Sequence, residues 1–295
     1  MQKNPAAAAS RVASLAPSAT ATLRAIGAAD ALVGVTHHCD VDAGSHSDVD
    51  AGEDAARDDV ALDAATHGDP DSEPEIVGGW PNPDLDRVAA LDPDAVLTCD
   101  PLQRDTAEAL RERGLPVHHV EPTRLPAVFD AIEAVGAAVG RPDAAAAVAA
   151  DCRRRVDRVR EAVPEDPEER PVVYCEEWSD PPMAAGNWVP DAVEAAGGRS
   201  PFVDAGDRSR EVDEQEVLDA DPAYGVIHVC GRGAQSDPAT FDERGWDVDA
   251  EVHVVDDTLL NQPSPRLVDG IEELARILHG VDPDGVDPNV DDYDG

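Results

Sequence analysis

From Asp143 to Val163 the chain carries neither glycine nor proline, and alanine and arginine fill most of the positions. Good helix formers over that length make one helix of about 20 residues, roughly 30 Å long. Pro142 suits its first turn and Pro164 stops it. A rod of that length divides the chain, because whatever folds before it is joined stiffly to whatever folds after it. The arginines of its second half, Arg153, Arg154, Arg155, Arg158 and Arg160, are expected to form a solvated, salt-bridged face.

On both sides of this helix short apolar runs alternate with helical patterns. Before it, Arg11 to Leu15, Leu32 to Thr36, Ala95 to Cys99 and Val117 to Val120 read as strands. Ser18 to Ile26, Leu85 to Leu91 and Gln103 to Arg113 read as the helices between them. After it come strands at Val172 to Cys175, Val226 to Val229 and Val252 to Val255, and helices near Val189 to Ala196, Glu214 to Ala220 and Pro265 to Leu278. This βα alternation predicts an α/β fold, a parallel sheet covered by helices in each of two lobes. The expected divisions are a disordered start at 1–10, an N-terminal lobe at 11–142, the connecting helix at 143–163, a C-terminal lobe at 164–280 and an acidic disordered tail at 281–295. Within the first lobe, 41–75 is dense in Asp, Gly and Ser and reads as an acidic loop. Its Asp-x-Asp spacings lack the Gly and the twelfth-position Glu of a calcium loop.

Charge narrows the function. The 63 acidic residues against 23 basic ones leave a formal charge of −40, which repels DNA and RNA. Lys3 is the only lysine, so Schiff-base chemistry and a lysine-bearing phosphate loop have no candidate. So acidic a surface fits a protein that stays hydrated in concentrated salt, where counterions screen its self-repulsion. No run reaches the roughly 18 apolar residues of a membrane span, and Met1 to Ser10 is too weakly apolar for an export signal, so the chain as printed reads as cytoplasmic.

The chemistry-bearing motifs are sparse. Five cysteines lie far apart with no CxxC, which reads as free thiols. His37, His38 and Cys39 close a predicted strand and offer metal ligands, yet adjacent residues of an extended chain point to opposite faces. A metal-dependent enzyme using those three is therefore an alternative rather than the first reading. Gly231-Arg232-Gly233 lacks the third glycine of a dinucleotide fingerprint, Ser236 standing there, and no G-x-S-x-G marks a hydrolase nucleophile. Three of the four tryptophans, Trp80, Trp178 and Trp188, sit in Gly- and Pro-rich connections. An indole on a loop is a rigid apolar plate suited to a large flat ligand.

The run Arg11 to Thr20, the segment Leu32 to Asp40, Gly79 to Val88 with Leu91 to Leu97, Glu177-Trp178 through Gly198, and Pro263 to Gly270 together resemble the substrate-binding proteins of cobalamin and iron-siderophore ABC importers, the cobalamin branch in particular. The resemblance covers nearly all of 11–280. It implies two Rossmann-like lobes bridged by one helix, with cobalamin as transported ligand in the cleft and no catalytic cofactor. It also implies a monomer working outside the membrane, at odds with the start of the printed chain. The ligand-facing positions it implies are Pro17, Ser18, His38, Trp80, Cys99, Asp100, Trp178, Met183, Asn261 and Gln262. Cys99 and Gln262 stand where a close relative has an aromatic and an arginine, which keeps an iron-siderophore or haem carrier as the alternative cargo. The permease docks through one carboxylate on each lobe, here Asp86 and, flanking the aligned Gln215, Glu214 or Glu216.

Overall fold

The computed structural model describes residues 8–39 and 73–281, so the expectations for 1–7, 41–72 and 282–295 lie outside the described residues. The first lobe builds one sheet from β1 (Val12–Ser14), β2 (Leu32–Val35), β3 (Glu75–Ile76), β4 (Ala95–Cys99) and β5 (Val117–Val120) in the order β3-β2-β1-β4-β5. Every pairing is parallel. Its helices are α1 (Pro17–Ala25), α2 (Leu85–Ala90), α3 (Arg104–Glu112) and α4 (Leu125–Ala138). Crossover helices cover both faces of a parallel sheet, so β1 and β4 are buried at every residue, and separate apolar clusters around Leu23 and around Leu110 fill the two sides.

The connecting helix is α5 (Pro142–Ala162), one residue earlier at each end than the expected 143–163 because proline is accepted in a first turn. Ala145 packs into the core of the first lobe, and Ala149, Cys152, Val156 and Val159 pack into that of the second. Its arginines pair as expected with carboxylates, Arg153 with Glu133 at 2.8 Å and Arg155 with Asp269 at 2.6 Å.

The second lobe contains β6 (Val173–Ser179), β7 (Pro182–Ala184), β8 (Arg210–Glu211), β9 (Tyr224–Ile227) and β10 (Glu251–Val254), with α6 (Val189–Ala195), α7 (Glu214–Ala220), α8 (Ala239–Glu243), α9 (Asp257–Leu260) and α10 (Arg266–His279). The strand order is β10-β9-β6-β7-β8. β10, β9 and β6 are parallel, but β7 runs antiparallel to both of its neighbours, β6 and β8, so this sheet is mixed where a parallel one was expected. Only Asp180 and Pro181 separate β6 from β7, and so short a link permits nothing but an antiparallel return.

Four expectations need correction. β9 and β10 begin one or two residues before the expected Val226 and Val252. Glu75, assigned to the end of the acidic loop, pairs with Gly34 and continues through Ile76 opposite Val35 as an edge strand. Residues 8–10 of the expected disordered start are held: Ala9 N–H donates to Val139 O, and Ser10 donates to Asp94 from both its backbone and its hydroxyl at 2.9 Å. Helix α4 was missed because Pro126 and Gly136 look like breakers. Pro126 sits in the first turn, and a Cβ on Gly136 would lie 2.1 Å from that of Ala145, so the glycine lets α5 approach. No helix among the described residues is long and apolar enough to cross a membrane.

Candidate functional site: the cleft between the lobes

The carboxyl ends of parallel strands are where open α/β sheets gather ligand-binding loops, and the two lobes face each other there. In the first lobe a buried glutamine ties these loops together. Gln103 donates from Nε2 to Leu15 O at 2.8 Å and to Trp80 O at 2.7 Å, and its Oε1 accepts from Cys99 N–H at 3.0 Å. One side chain therefore fixes the loop after β1, the half-buried Trp80 and the end of β4. Ser18 hydrogen-bonds the Cys99 thiol, which burial pushes up to about 12. Asp100 follows with φ of 84°, a conformation costing a non-glycine residue about 1–3 kcal/mol and typical of ligand clamps. Its carboxylate accepts from Leu102 N–H at 2.8 Å.

Across the cleft, Arg208 of the second lobe lies 4.0 Å from Asp100. Glu177 is raised above the usual carboxylate range by burial first, with the Asp100 charge adding to it and a Ser209 hydrogen bond opposing. Asn261 donates to His228 O at 2.9 Å and to Cys230 Sγ at 3.0 Å, and its Oδ1 lies 2.5 Å from His228 Nδ1. The amide nitrogen is used up as a donor, so His228 Nδ1 carries the proton and donates. His228 is 0% exposed, and its Nε2 has no partner among the described residues. The Gly231-Arg232-Gly233 turn spends its amides on this lobe, since Gly231 and Gly233 N–H bond the Asp257 carboxylate at 2.9 and 2.8 Å. A dinucleotide reading of that motif loses its donors.

Beside this floor runs a groove of about 580 Å³ between α1 and the start of α10, within the usual range for small-molecule sites. Of the sequence-derived ligand positions it gathers Pro17, His38 and Gln262, together with His37 and Cys39 of the metal alternative. Ser18, Cys99, Asp100 and Asn261 belong to the floor. Trp178 and Met183 form a cross-strand pair on β6 and β7. Trp178 is 48% exposed with its indole N–H on Asp180 O at 2.8 Å, which leaves a face of the ring open. Trp188 is different: it is 7% exposed, donates to Leu260 O at 2.7 Å and packs in the second-lobe core. His37, His38 and Cys39 all line the groove, the two histidines exposed and Cys39 buried with Sγ 3.3 Å from Thr36 Oγ1, but no cluster of three metal-binding side chains occurs among the described residues. Asp86 stands 90% exposed on α2, Glu214 is exposed at the start of α7, and Glu216 is tied to Arg210.

Gln103, His228 and Arg208 were missed in the sequence. His228 alone left a trace there, as one polar residue inside the apolar run Val226 to Val229. The buried carboxyl of Glu177 yields a prediction. Glu177 has a raised pKa in the folded chain, so its ionised form opposes folding at neutral pH, and that cost disappears as pH falls below its ordinary value. Glu177→Gln should raise the thermal midpoint at pH 7, and its gain over wild type should shrink as pH falls toward the ordinary carboxylate range. Identical melting profiles for the two proteins would show that Glu177 is not strained.

Two helix-linked α/β lobes meeting at a loop-lined cleft are the architecture of a two-lobed ligand-binding protein. A family model described as periplasmic binding protein matches residues 12–244, and the chain belongs to that family, whose members bind solutes and are not enzymes. The cobalamin-binding protein of Halobacterium salinarum is 27% identical over 217 residues, covering 70% of this chain and 59% of that relative. The chain thus matches about three-fifths of that relative's length. The vitamin B12-binding protein of Vibrio cholerae is 23% identical over 283 residues, covering 92% of this chain and 89% of the relative. Among solved structures, the periplasmic vitamin B12 binding protein of Vibrio cholerae has a TM-score of 0.65 at 21% identity over 92% of this chain and 96% of that one. The periplasmic heme binding protein of the same organism has a TM-score of 0.70 at 13% identity over 91% of this chain and 98% of that one.

Proposed function

We propose that this chain is a substrate-binding protein that captures a corrinoid between its lobes and presents it to an ABC importer on the outer side of a membrane. The observation that carries this reading is the groove between the lobes, which brings Pro17, His38 and Gln262 together beside the cleft floor. Apolar burial of the macrocycle against Trp80 and the open face of Trp178 supplies affinity, at about 25 cal/mol per Å² as an upper rate. Polar groups at Ser18, Asp100 and Asn261 orient it, and Met183 and Cys99 complete the wall. The exposed carboxylates of Asp86 and Glu214, one on each lobe, are the docking contacts with the permease. Asp86 touches Arg113 at 3.2 Å and Glu216 flanks Glu214 while paired with Arg210, so docking at either exchanges one arginine partner for another.

A haem or iron-chelate cargo is the second reading, favoured by one feature of the groove: His38 presents an exposed imidazole to it, and imidazole ligates haem iron. Mixing the protein with one equivalent of cyanocobalamin or of haemin in high salt, followed by gel filtration, separates the two. The expected result is retention of the red cobalamin chromophore at one per chain. Retention of haemin alone transfers the function to the second reading, and retention of neither ends both. Within the corrinoid reading, Trp80→Ala is expected to weaken binding at least tenfold by titration calorimetry with the thermal midpoint unchanged. Wild-type affinity in that variant removes Trp80 from the site.

A further inference from the structure

In a chain with 63 acidic residues a guanidinium is expected to find a carboxylate, and most described arginines do, from Arg87 on α2 to Arg276 on α10. Arg24 and Arg266 are among those that do not, and they are the two of these that line the groove. Neither guanidinium has a hydrogen-bond or ion-pair partner among the described residues, both are half-buried, and both line the groove between the lobes. Arg24 comes from the last turn of α1 in the first lobe and Arg266 from the first turn of α10 in the second.

The rest of the groove sharpens the contrast. Its lining holds three guanidinium groups, those of Arg24, Arg155 and Arg266, against the one carboxylate of Asp269. That carboxylate is already engaged by Arg155 at 2.6 Å, and Arg155 also holds Glu272. The hydroxyls are spent too: Thr20 donates to Ser14 Oγ at 2.8 Å, and Thr258 donates to Asp256. Pro17, Ala21 and Pro265 give apolar walls. On a surface that repels anions almost everywhere, the described lining of this groove carries more guanidinium groups than carboxylates, with two planar forks that have no partner among the described residues.

We propose that the groove is an oxyanion subsite, in which a phosphate or carboxylate group sits between Arg24 of the first lobe and Arg266 of the second. A guanidinium matches such a group bidentately. In molar salt, where the Debye length is about 3 Å, only contact of this kind survives screening. Because one arginine comes from each lobe, the anion bridges the cleft and favours its closed form. Where the anion is carried by the bound molecule, this inference rests on the proposed function; where it is free phosphate, it does not.

The test uses the full chain at fixed molar chloride, with Arg24→Gln, Arg266→Gln and the double variant compared with wild type by titration calorimetry. Four probes are titrated: inorganic phosphate, cyanocobalamin with its phosphodiester, dicyanocobinamide that lacks it, and haemin with its two carboxylates. A ligand-borne anion predicts that the double variant loses at least tenfold in affinity for cyanocobalamin or haemin and nothing for dicyanocobinamide. A free anion predicts phosphate binding to wild type that either single variant abolishes, with the corrinoids unaffected. Arg24→Lys and Arg266→Lys, which keep the charge without the fork, should recover part of the loss, and thermal midpoints within the wild-type range show that the variants fold. If no probe distinguishes wild type from the double variant, the subsite is overturned while corrinoid binding stands. If phosphate binding depends on both arginines but no corrinoid or haemin binds, the subsite stands and the proposed function falls.

Discussion

Replacing Arg244 by methionine is expected to destabilise the protein by about 3–5 kcal/mol, the usual result of stranding one member of a buried ion pair. Glu176 on β6 is 0% exposed, and its carboxylate is surrounded by donors. Arg244 engages both of its oxygens, Tyr174 donates to Oε2 at 3.0 Å and Ser179 donates to Oε1 at 2.7 Å. Methionine fills much of the arginine's volume, so the loss is of charge rather than of packing. Urea unfolding at fixed salt measures it. Adding Glu176→Gln to Arg244→Met should return most of the stability, because the amide needs no counterion and keeps both hydroxyl partners. A loss under about 1 kcal/mol in the single variant, or no recovery in the double one, would show that the pair is not the buried device described. The same arginine also bonds Ser179 O at 3.2 Å, next to Trp178, so the variant should loosen the turn that carries that indole.

This pair also shows where sequence reading stops. The alternation of strand and helix, the two lobes and the Gly-free helix between them are all written in local patterns with period 2 or 3.6, so they were legible. Helix α4 was not, because its proline and glycine act through position and through a neighbouring helix, which no local pattern records. The hairpin of β6 and β7 was hidden for a similar reason, as Pro181-Pro182 reads as a break rather than as a turn followed by an edge strand. Residues that hold the cleft are less legible still. Gln103 and Arg244 lie many residues from their partners, Leu15 in the first case and Glu176 in the second. A contact of that separation exists only once topology brings the elements together.

The candidate ligand residues divide along the same line. Pro17, His38 and Gln262 end up on one groove although more than two hundred residues separate the first from the last; a resemblance to a family can name such positions, but spacing cannot. Trp188 marks the opposite limit. By composition its loop looked the same as those of Trp80 and Trp178, yet the chain folds it inward because Leu260 O offers its N–H a partner within an apolar core.

His228 should make the folded state lose about 3 kcal/mol as pH falls from 7 to 4. Its pKa is depressed to about 4 by complete burial, with the Asn261 hydrogen bond and the Glu176 charge offsetting only part. The unfolded chain takes up this proton near pH 6.5 while the folded chain refuses it until about 4. Between those values stability is therefore lost with acid, by roughly 1.36 kcal/mol for each of about 2.5 pH units. Glu121, lowered to about 2 mainly by Arg104, loses stability over a more acidic range, whereas the raised pKa values of Glu177 and Asp257 work in the opposite direction. A single melting curve mixes all of these. His228→Asn separates them, since the asparagine amide can donate to Asn261 Oδ1 as Nδ1 does but does not titrate. The difference between wild-type and variant stability, measured by urea unfolding at half-unit steps, should shift by about 3 kcal/mol from pH 7 to pH 4 and stay flat above pH 7. A difference that does not move with pH would mean that the imidazole is protonated as readily in the folded chain as in the unfolded one, and the neutral imidazole, whose Nε2 has no partner among the described residues, would have to be abandoned.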